Sequence, residues 1–398
     1  MVGLAQYLAI CDKRFFKSAI YELHKSALID TDSIERIYGH EVFLVNSKGS
    51  PKTGPDLVPE DFEFFDFVVK IDKAIAFSKN FADVAKSVSE VVDKSKRFKI
   101  YVKKYGFGLA ERAKDIEVAV GTEMERMGFI ADLKKPEIAI FIVFLEDRIF
   151  IGKSTAGESE RPKIIDWFRP SNVDDKDIGL NRASFKIAEA FNYFKVDPSK
   201  IKVAIDIGAA PGGWSYYLAS KGIKVIAIDN ALMNYEKLCE KFKVLVISGM
   251  DKESAGPDQN TIIGTGMGEV HRKNLSVSNI EILQIQTIAD LLKLYNIVQI
   301  KALAEEAEKY IAYLKILRPG LLAIDINVKP KYSIEVAKKF SRAIDPEGII
   351  ITTLKFAMID TAGTISYAKK SMEDIANEIK IKKLPHNRKE LTLFAYKK

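Results

Sequence analysis

Residues Asp206–Asn230 read DIGAAPGGWSYYLASKGIKVIAIDN, and this stretch decides the fold of the C-terminal half. Its order predicts a strand that ends at Asp206, a tight turn of three glycines and a proline, a helix, and a second strand that ends at Asp229. Glycines leave the backbone of such a turn open to a ligand, and the helix N-terminus offers free N–H groups. Asp229 is placed to accept hydrogen bonds from ribose hydroxyls. The stretch therefore predicts a site for a ligand that carries a nucleoside.

The chain from Ile201 onward alternates apolar runs with helical patterns, which predicts one α/β domain with a mostly parallel sheet and an antiparallel last strand. The predicted strands are IKVAIDIG, KVIAID, KVLVIS, IEILQIQ, GLLAIDIN, GIIITTLKF and ELTLFAYK. A polar, glycine-rich stretch at about 250–279 reads as an insertion. The segment NIVQIKALAEEAEKYIAYLKIL reads as a long helix.

Composition limits the class of protein. The 398 residues predict two or three domains, and 47% hydrophobic with 29% charged residues is ordinary for a globular protein. The net charge of +7 permits a polyanionic partner without requiring one. The two cysteines form no CxxC pair, so we expect no metal site and a reducing compartment. We see neither a signal peptide nor a membrane-spanning run and expect a cytoplasmic location.

The glycine turn lacks the G-x-G-x-x-G pattern of dinucleotide sites, which makes an NAD-dependent enzyme a poor alternative. Instead, DIGAAPGGWSYYL closely resembles the S-adenosyl-L-methionine loop of FtsJ-type ribose 2'-O-methyltransferases. The resemblance implies a Rossmann-like methyltransferase domain, with Asp229 on the ribose of the cofactor and Asp290 as the acid beside the adenine. The cofactor residues that it implies are Asp206, Gly208, Pro211, Gly213, Trp214, Asp229 and Asp290.

Four further residues match the Lys–Asp–Lys–Glu set of the same family. They are Lys186 in NRASFKIAEAF, Asp325 in LLAIDINVKP, Lys355 in IIITTLKF and Glu390 in LPHNRKELTLFAY. Taken singly, each has an ordinary explanation, such as a surface ion pair between Lys186 and Glu189. Taken together, the order and the strand-end positions predict that the four side chains meet above the sheet.

Methyl transfer from a sulfonium requires a hydroxyl that is oriented and deprotonated, because the methyl group is already activated. The resemblance implies Lys355 as the proton acceptor, Asp325 and Lys186 as the orienting pair, and Glu390 as a residue that positions the substrate. A free lysine is almost fully protonated at neutral pH, so such a role requires a covered pocket and a second cation nearby.

The N-terminal part alternates strands and helices, which predicts an α+β region. The segment GFIADLKKPEIAIFIVFLEDRIFIG, which follows a helix, resembles the THUMP domain of RNA-modifying enzymes, and the stretch before it resembles the ferredoxin-like domain that accompanies THUMP. The predicted domains are a ferredoxin-like domain at 1–90, THUMP at 91–155, a connector with the lysine helix at 156–195, and the methyltransferase at 196–398.

The expected partner is RNA, ribosomal or transfer, and the basic stretches KSKRFKIYVKK and IKIKKLPHNRK are either phosphate contacts or solvated faces. The nearest resemblance overall is to THUMP-containing ribosomal RNA cytidine 2'-O-methyltransferases. Two alternatives stay open, a THUMP-bearing RNA base methyltransferase and a non-catalytic RNA-binding protein. The first normally has an Asn/Asp-Pro-Pro-Tyr/Phe motif after its fourth strand, where this chain has IDINVKP. The oligomeric state is open.

Overall fold

The chain forms two compact units, Met1–Ser171 and Asn172–Lys398. The computed structural model describes residues 5–48, 57, 62–133, 136–155, 181–247, 261–265, 270–273, 285–356, 362–384, 386–387 and 389–398. No helix among these residues is long and apolar enough to cross a membrane.

The N-terminal unit is built from two four-stranded sheets with helices, so the predicted α+β region is confirmed. The first sheet has the order β2-β3-β1-β4, and the second has the order β5-β8-β7-β6. The strands are β1 (Gln6–Cys11), β2 (Ile29–Tyr38), β3 (Val42–Ser47), β4 (Phe65–Lys70), β5 (Lys73–Ala76), β6 (Phe98–Lys104), β7 (Ile138–Phe144) and β8 (Arg148–Thr155). The helices are α1 (Phe16–Lys25), α2 (Phe81–Ser89) and α3 (Ala113–Arg126).

The two sheets of this unit share an apolar core. Phe67 on β4 packs edge-on against Phe141 on β7, with ring centroids 5.0 Å apart, and Leu8 and Val143 belong to the same buried cluster. The strands β7 and β8 pair antiparallel on either side of Glu146 and Asp147. The apolar core of this unit is continuous across residue 90, and the three predicted domain boundaries stay predictions.

The C-terminal unit is an α/β layer structure around one ten-stranded sheet, which confirms the predicted Rossmann-like fold class. Its strands are β9 (Val203–Ile207), β10 (Lys224–Ile228), β11 (Lys243–Ile247), β12 (Thr261–Thr265), β13 (Val270–Lys273), β14 (Ile297–Ile300), β15 (Leu321–Ile324), β16 (Ile349–Lys355), β17 (Ala376–Lys382) and β18 (Glu390–Lys397). Its helices are α4 (Arg182–Tyr193), α5 (Gly213–Ser220), α6 (Tyr235–Cys239), α7 (Ile285–Leu294), α8 (Ala304–Ala307), α9 (Ile311–Ile316), α10 (Pro330–Phe340) and α11 (Ala362–Met372).

The strand order of this sheet is β13-β12-β11-β14-β10-β9-β15-β16-β18-β17. From β9 the chain first builds outward through β10, and it then returns to place β15 on the other side of β9, parallel to it. The carboxyl ends of β9 and β15 therefore flank the point at which the strand order reverses, which is where open α/β sheets bind ligands. The strand β18 runs antiparallel between β16 and β17, as predicted for the last strand.

Three sequence predictions in this unit are wrong. The residues Ile297–Ile300, predicted as helix, form β14, because a β-branched, fully buried run fits a parallel strand between β10 and β11. Ile285 and Gln286, predicted as strand, lie in α7, and the rest of that predicted strand lies outside the described residues. The segment Ala376–Lys382 was missed as a strand and forms β17. Part of the predicted insertion pairs as β12 and β13, which extend the sheet from β11.

Candidate active site

The glycine turn joins β9 to α5 and depends on backbone conformations that favour glycine. Gly208 has φ +78° and Gly212 has φ +111°, and the peptide bond before Pro211 is cis. A Cβ atom on Gly208 would lie 2.9 Å from the backbone N of Ile326 and 3.0 Å from the carbonyl carbon of Asp325. The missing side chain therefore lets the end of β15 approach the turn, whereas the sequence had suggested only the approach of a ligand.

The absence of a side chain at Gly213 likewise lets helix α4 approach the glycine turn. A Cβ atom there would overlap Asn181 Oδ1 and would lie 3.0 Å from the backbone N of Ser184. Asn181 caps α4 by accepting a hydrogen bond from the N–H of Ala183 at 2.8 Å, and Ser184 Oγ donates to the carbonyl of Gly213 at 3.0 Å. The glycine turn and the helix that carries Lys186 are therefore fitted directly to each other.

Replacing Gly213 with alanine is expected to destabilise this domain by about 1–3 kcal/mol, the usual cost of overpacking. The new methyl group would push against the N-cap and backbone of α4, and Lys186 would move with the helix. Urea unfolding measures the loss. The matched control is Gly363→Ala in α11, where a Cβ atom has no neighbour within 4 Å, and which we expect to be neutral or slightly stabilising. Equal effects of the two changes would contradict the packing explanation.

Asp206 is fully buried beneath the turn. Its Oδ2 accepts a hydrogen bond from Ser215 Oγ at 2.6 Å, and its Oδ1 has no hydrogen-bond partner among the described residues. Burial, with smaller contributions from the charges of Asp325 and Asp229, raises the pKa of this carboxyl to about 7, although the Ser215 hydrogen bond opposes the shift. An unpaired buried acceptor at the head of the turn is a group that a bound ligand would satisfy.

Asp206→Asn is expected to change how stability depends on pH. An aspartate in an unfolded chain titrates near 3.9, so between about pH 4 and pH 7 the folded wild type binds a proton that the unfolded chain does not. The free energy of unfolding of the wild type therefore falls across that interval, and the variant lacks this contribution. Denaturant unfolding at several pH values should show that the free energy of unfolding of the variant rises relative to that of the wild type from pH 4 to pH 7. A difference that stays constant with pH would contradict the raised pKa.

Asp229 lies just after β10, and its position is fixed from two sides. Its Oδ2 accepts from the N–H of Ala210 in the turn at 3.0 Å, and its Oδ1 accepts from the N–H of Ala231 at 2.8 Å. Gln299 in β14 is buried, and its Nε2 donates to the carbonyls of Asp229 and Ala231 at 3.1 and 3.0 Å. Each carboxylate oxygen keeps a lone pair for a further donor. Sequence reasoning missed Gln299, although a single amide in the run IVQI was the available signal.

The four polar residues predicted to meet do so, at the carboxyl ends of β15 and β16 and the start of β18. Lys186 Nζ on α4 lies 2.5 Å from Glu390 Oε2 and 3.2 Å from Asp325 Oδ2. Lys355 Nζ lies 2.9 Å from Asp325 Oδ1, and it donates to the carbonyl of Asp325 at 3.3 Å. In the sheet, Lys355 and Glu390 are direct cross-strand partners. We call these four side chains the tetrad.

The tetrad balances two positive charges against two negative ones and is largely removed from solvent. The side chain of Lys186 is 5% exposed, those of Asp325 and Glu390 are 10% exposed, and that of Lys355 is 21% exposed. Lys186 sits between the two carboxylates, whereas Lys355 contacts one of them. Lys355 is therefore the member that an incoming molecule can reach most easily.

The alternative explanation for Lys186, a surface ion pair with Glu189, is wrong. Glu189 is buried, and it accepts from the backbone N–H of His386 at 2.9 Å and contacts His386 Nδ1 at 2.5 Å. The His386 ring also stacks on Phe185, with centroids 5.0 Å apart. These contacts fasten the segment before Glu390 to the helix that carries Lys186, and nothing in the sequence pattern had indicated them.

Two predicted cofactor residues, Asp290 and Trp214, lie in helices. Asp290 lies in α7 with an exposed side chain that pairs with Lys293 at 2.7 Å, and its contact with adenine stays a prediction. Trp214 in α5 is buried, and its Nε1 has no partner among the described residues.

The two basic stretches contain both exposed and engaged side chains. In the first, Arg97 pairs with Asp132 and Glu137, and Lys99 is buried. In the second, Lys382, the last residue of β17, and Lys383 are buried. These four basic side chains therefore give little support to phosphate binding.

Comparison with known proteins identifies the class of this domain. Residues 180–310 match the model of the FtsJ-like methyltransferases, so the chain contains an FtsJ-like methyltransferase domain. Enzymes of this kind use S-adenosyl-L-methionine, which confirms the predicted cofactor for the domain.

Two curated relatives share short regions with the chain. It is 45% identical over 64 residues to Ribosomal RNA large subunit methyltransferase M of Marinomonas sp. (strain MWYL1), which covers 15% of this chain and 18% of that protein. It is 35% identical over 100 residues to Ribosomal RNA large subunit methyltransferase E of Wolbachia sp. subsp. Brugia malayi (strain TRS), covering 21% and 46%. The chain thus spans less than half the length of either relative. Among solved structures, TrmN from Thermus thermophilus aligns over 99% of both chains with 10% identity and a TM-score of 0.34.

Proposed function

We propose that this chain methylates the 2'-hydroxyl of a ribose in structured RNA, ribosomal or transfer, with S-adenosyl-L-methionine as the methyl donor. The observation that carries the proposal is the tetrad, which lies at the carboxyl ends of the central strands beside the glycine turn. The names of the two curated relatives, both ribosomal RNA methyltransferases, support RNA as the substrate. The predicted THUMP domain would add a second RNA contact.

The glycine turn fits the cofactor. Asp206 Oδ1 is a buried acceptor without a partner among the described residues, and Asp229 presents a carboxylate held in place by two backbone N–H groups. We assign Asp206, Gly208, Pro211, Gly213 and Trp214 to the walls of the cofactor site and Asp229 to the ribose hydroxyls. The bound cofactor supplies a methyl group on a positively charged sulfur, which needs no further activation.

The chemistry left to the protein is to orient the hydroxyl of the substrate and to remove its proton. The bound cofactor would supply the methyl group, and its sulfur would keep the electron pair of the carbon–sulfur bond as the new oxygen–carbon bond forms. We assign Lys355, the most exposed member of the tetrad, as the acceptor of the hydroxyl proton. Asp325 and Lys186, which contact each other, form the orienting pair, and Glu390 positions the substrate.

The test is a transfer assay with a methyl-labelled cofactor and total RNA from the source cell, followed by digestion of the RNA to nucleosides. Label in a 2'-O-methylnucleoside would support the proposal and would name the base. Label on a base would favour the RNA base methyltransferase instead. Cofactor binding without transfer to any RNA would contradict the proposal and favour a non-catalytic RNA-binding protein or another substrate.

A further inference from the structure

The carboxylate of Asp325 has a third polar side chain beside it, in addition to Lys186 and Lys355. Thr353 Oγ1 donates a hydrogen bond to Asp325 Oδ1 at 2.7 Å, shorter than any contact that either lysine makes with this carboxylate. Thr353 is fully buried in β16, two residues before Lys355, so both side chains project from the same face of the strand. A polar group that is buried against a buried carboxylate is costly to leave unpaired, and this pairing is direct.

We propose that Thr353 is a positioning residue for the reaction, which holds Asp325 in the rotamer that serves both lysines. The inference deepens the proposed function and rests on it. Oδ1 accepts the hydrogen bond from Thr353 and lies 2.9 Å from Lys355 Nζ. Lys186 Nζ lies nearer to Oδ2, at 3.2 Å, than to Oδ1, at 3.5 Å. The hydroxyl of Thr353 therefore restrains the rotation of the Asp325 carboxylate between the two lysines.

The hydroxyl also limits how tightly Asp325 holds Lys355. An oxygen that already accepts a hydrogen bond from a neutral donor has part of its charge satisfied, so it attracts the ammonium less strongly. Removal of that donor would let the carboxylate of Asp325 rotate towards Lys355. The amine of Lys355 would then hold its proton more tightly. We expect the loss to appear in the chemical step rather than in cofactor binding, because Thr353 contacts neither the glycine turn nor Asp229 in the described part of the chain.

The neighbouring residue Thr352 is a matched control. It lies in the same strand, is equally buried and faces the opposite side of the sheet, and its Oγ1 has no hydrogen-bond partner among the described residues. Valine has nearly the shape of threonine and lacks the hydroxyl. Thr352→Val therefore reproduces the change in volume and strand propensity, and it leaves Asp325 untouched.

The experiment compares Thr353→Val, Thr353→Ser and Thr352→Val in the labelled-methyl assay, scoring methyl transfer to any RNA product. For Thr353→Val we expect kcat to fall about tenfold to a hundredfold, the range for a misplaced catalytic group, with the KM for the cofactor near that of the wild type. Thr353→Ser restores the hydroxyl and should recover most of kcat. Thr352→Val should behave as the wild type.

A double-mutant cycle tests the contact without activity. Urea unfolding of Thr353→Val, Asp325→Asn and their combination should show coupling worth about tenfold in the unfolding equilibrium, and the same cycle with Thr352→Val should show none. Absent coupling, an unchanged kcat in Thr353→Val, equal losses in both valine variants or a failed serine rescue would each overturn the inference. A wild type that transfers no methyl group while the coupling is intact would refute the proposed function and leave the contact between Thr353 and Asp325 standing.

Discussion

Lys355→Ala is expected to abolish ribose methylation, with a loss of about 10²–10⁴-fold in kcat, the usual contribution of a general base. The ammonium of Lys355 lies 2.9 Å from Asp325 Oδ1, and it is the most exposed group of the tetrad, so its removal leaves no other amine as accessible to the substrate. Cofactor affinity should stay near that of the wild type, since Asp206 and Asp229 are unaffected. Single-turnover transfer and calorimetric cofactor binding measure the two quantities.

Lys355→Arg separates charge from proton transfer. A guanidinium keeps the positive charge beside Asp325 and does not lose its proton in proteins. We expect this variant to retain the stability of the wild type and to be as inactive as Lys355→Ala. An active arginine variant would show that the position needs only a cation, and it would remove the proton-acceptor role from Lys355.

Lys186→Met is expected to affect both stability and activity. Lys186 Nζ lies between the carboxylates of Asp325 and Glu390, at 3.2 and 2.5 Å, and all three side chains are nearly buried. The removal of one partner from a buried ion pair typically costs about 3–5 kcal/mol, because the remaining charge is left uncompensated. Urea unfolding at neutral pH measures the loss, and the transfer assay should show no activity.

The double variant Lys186→Met with Glu390→Gln tests whether the lost stability comes from the negative charge that Lys186→Met leaves uncompensated. It removes one negative group along with the cation, so a substantial part of the lost stability should return, while activity stays absent. If the double variant were as unstable as the single one, the loss would come from the packing of the lysine stem on α4 and not from the two carboxylates.

The sequence was sufficient to predict the fold of the catalytic unit where local pattern and tertiary environment agree. The runs around Asp206 and Asp229 are apolar, end in acids and enclose a glycine turn, so a strand–helix–strand unit was the straightforward prediction. The run IVQI at Ile297–Ile300 misled the prediction, since a short buried strand next to helical sequence cannot be told from a buried helix by periodicity.

The tetrad was predictable because three of its members stand at strand ends and all four match a family motif in order. What the sequence could not supply were the contacts that fix these members. Thr353 looks like one more β-branched residue of a buried strand, and His386 looks like a loop residue. Their partners, Asp325 and Glu189, are distant in the chain, and only the folded structure shows which hydroxyl or imidazole reaches them.

The contact between Lys186 and Glu390 joins residues 204 positions apart. The chain loses the conformational entropy of closing a long loop before the ion pair can form and stabilise it. We therefore expect the tetrad to form late in folding. β18, which carries Glu390, is also an interior strand, inserted between β16 and β17. We therefore expect the glycine turn to form before the tetrad in a nascent or partly folded chain that has not yet received β18. Methyl transfer would then report complete folding more stringently than cofactor binding does.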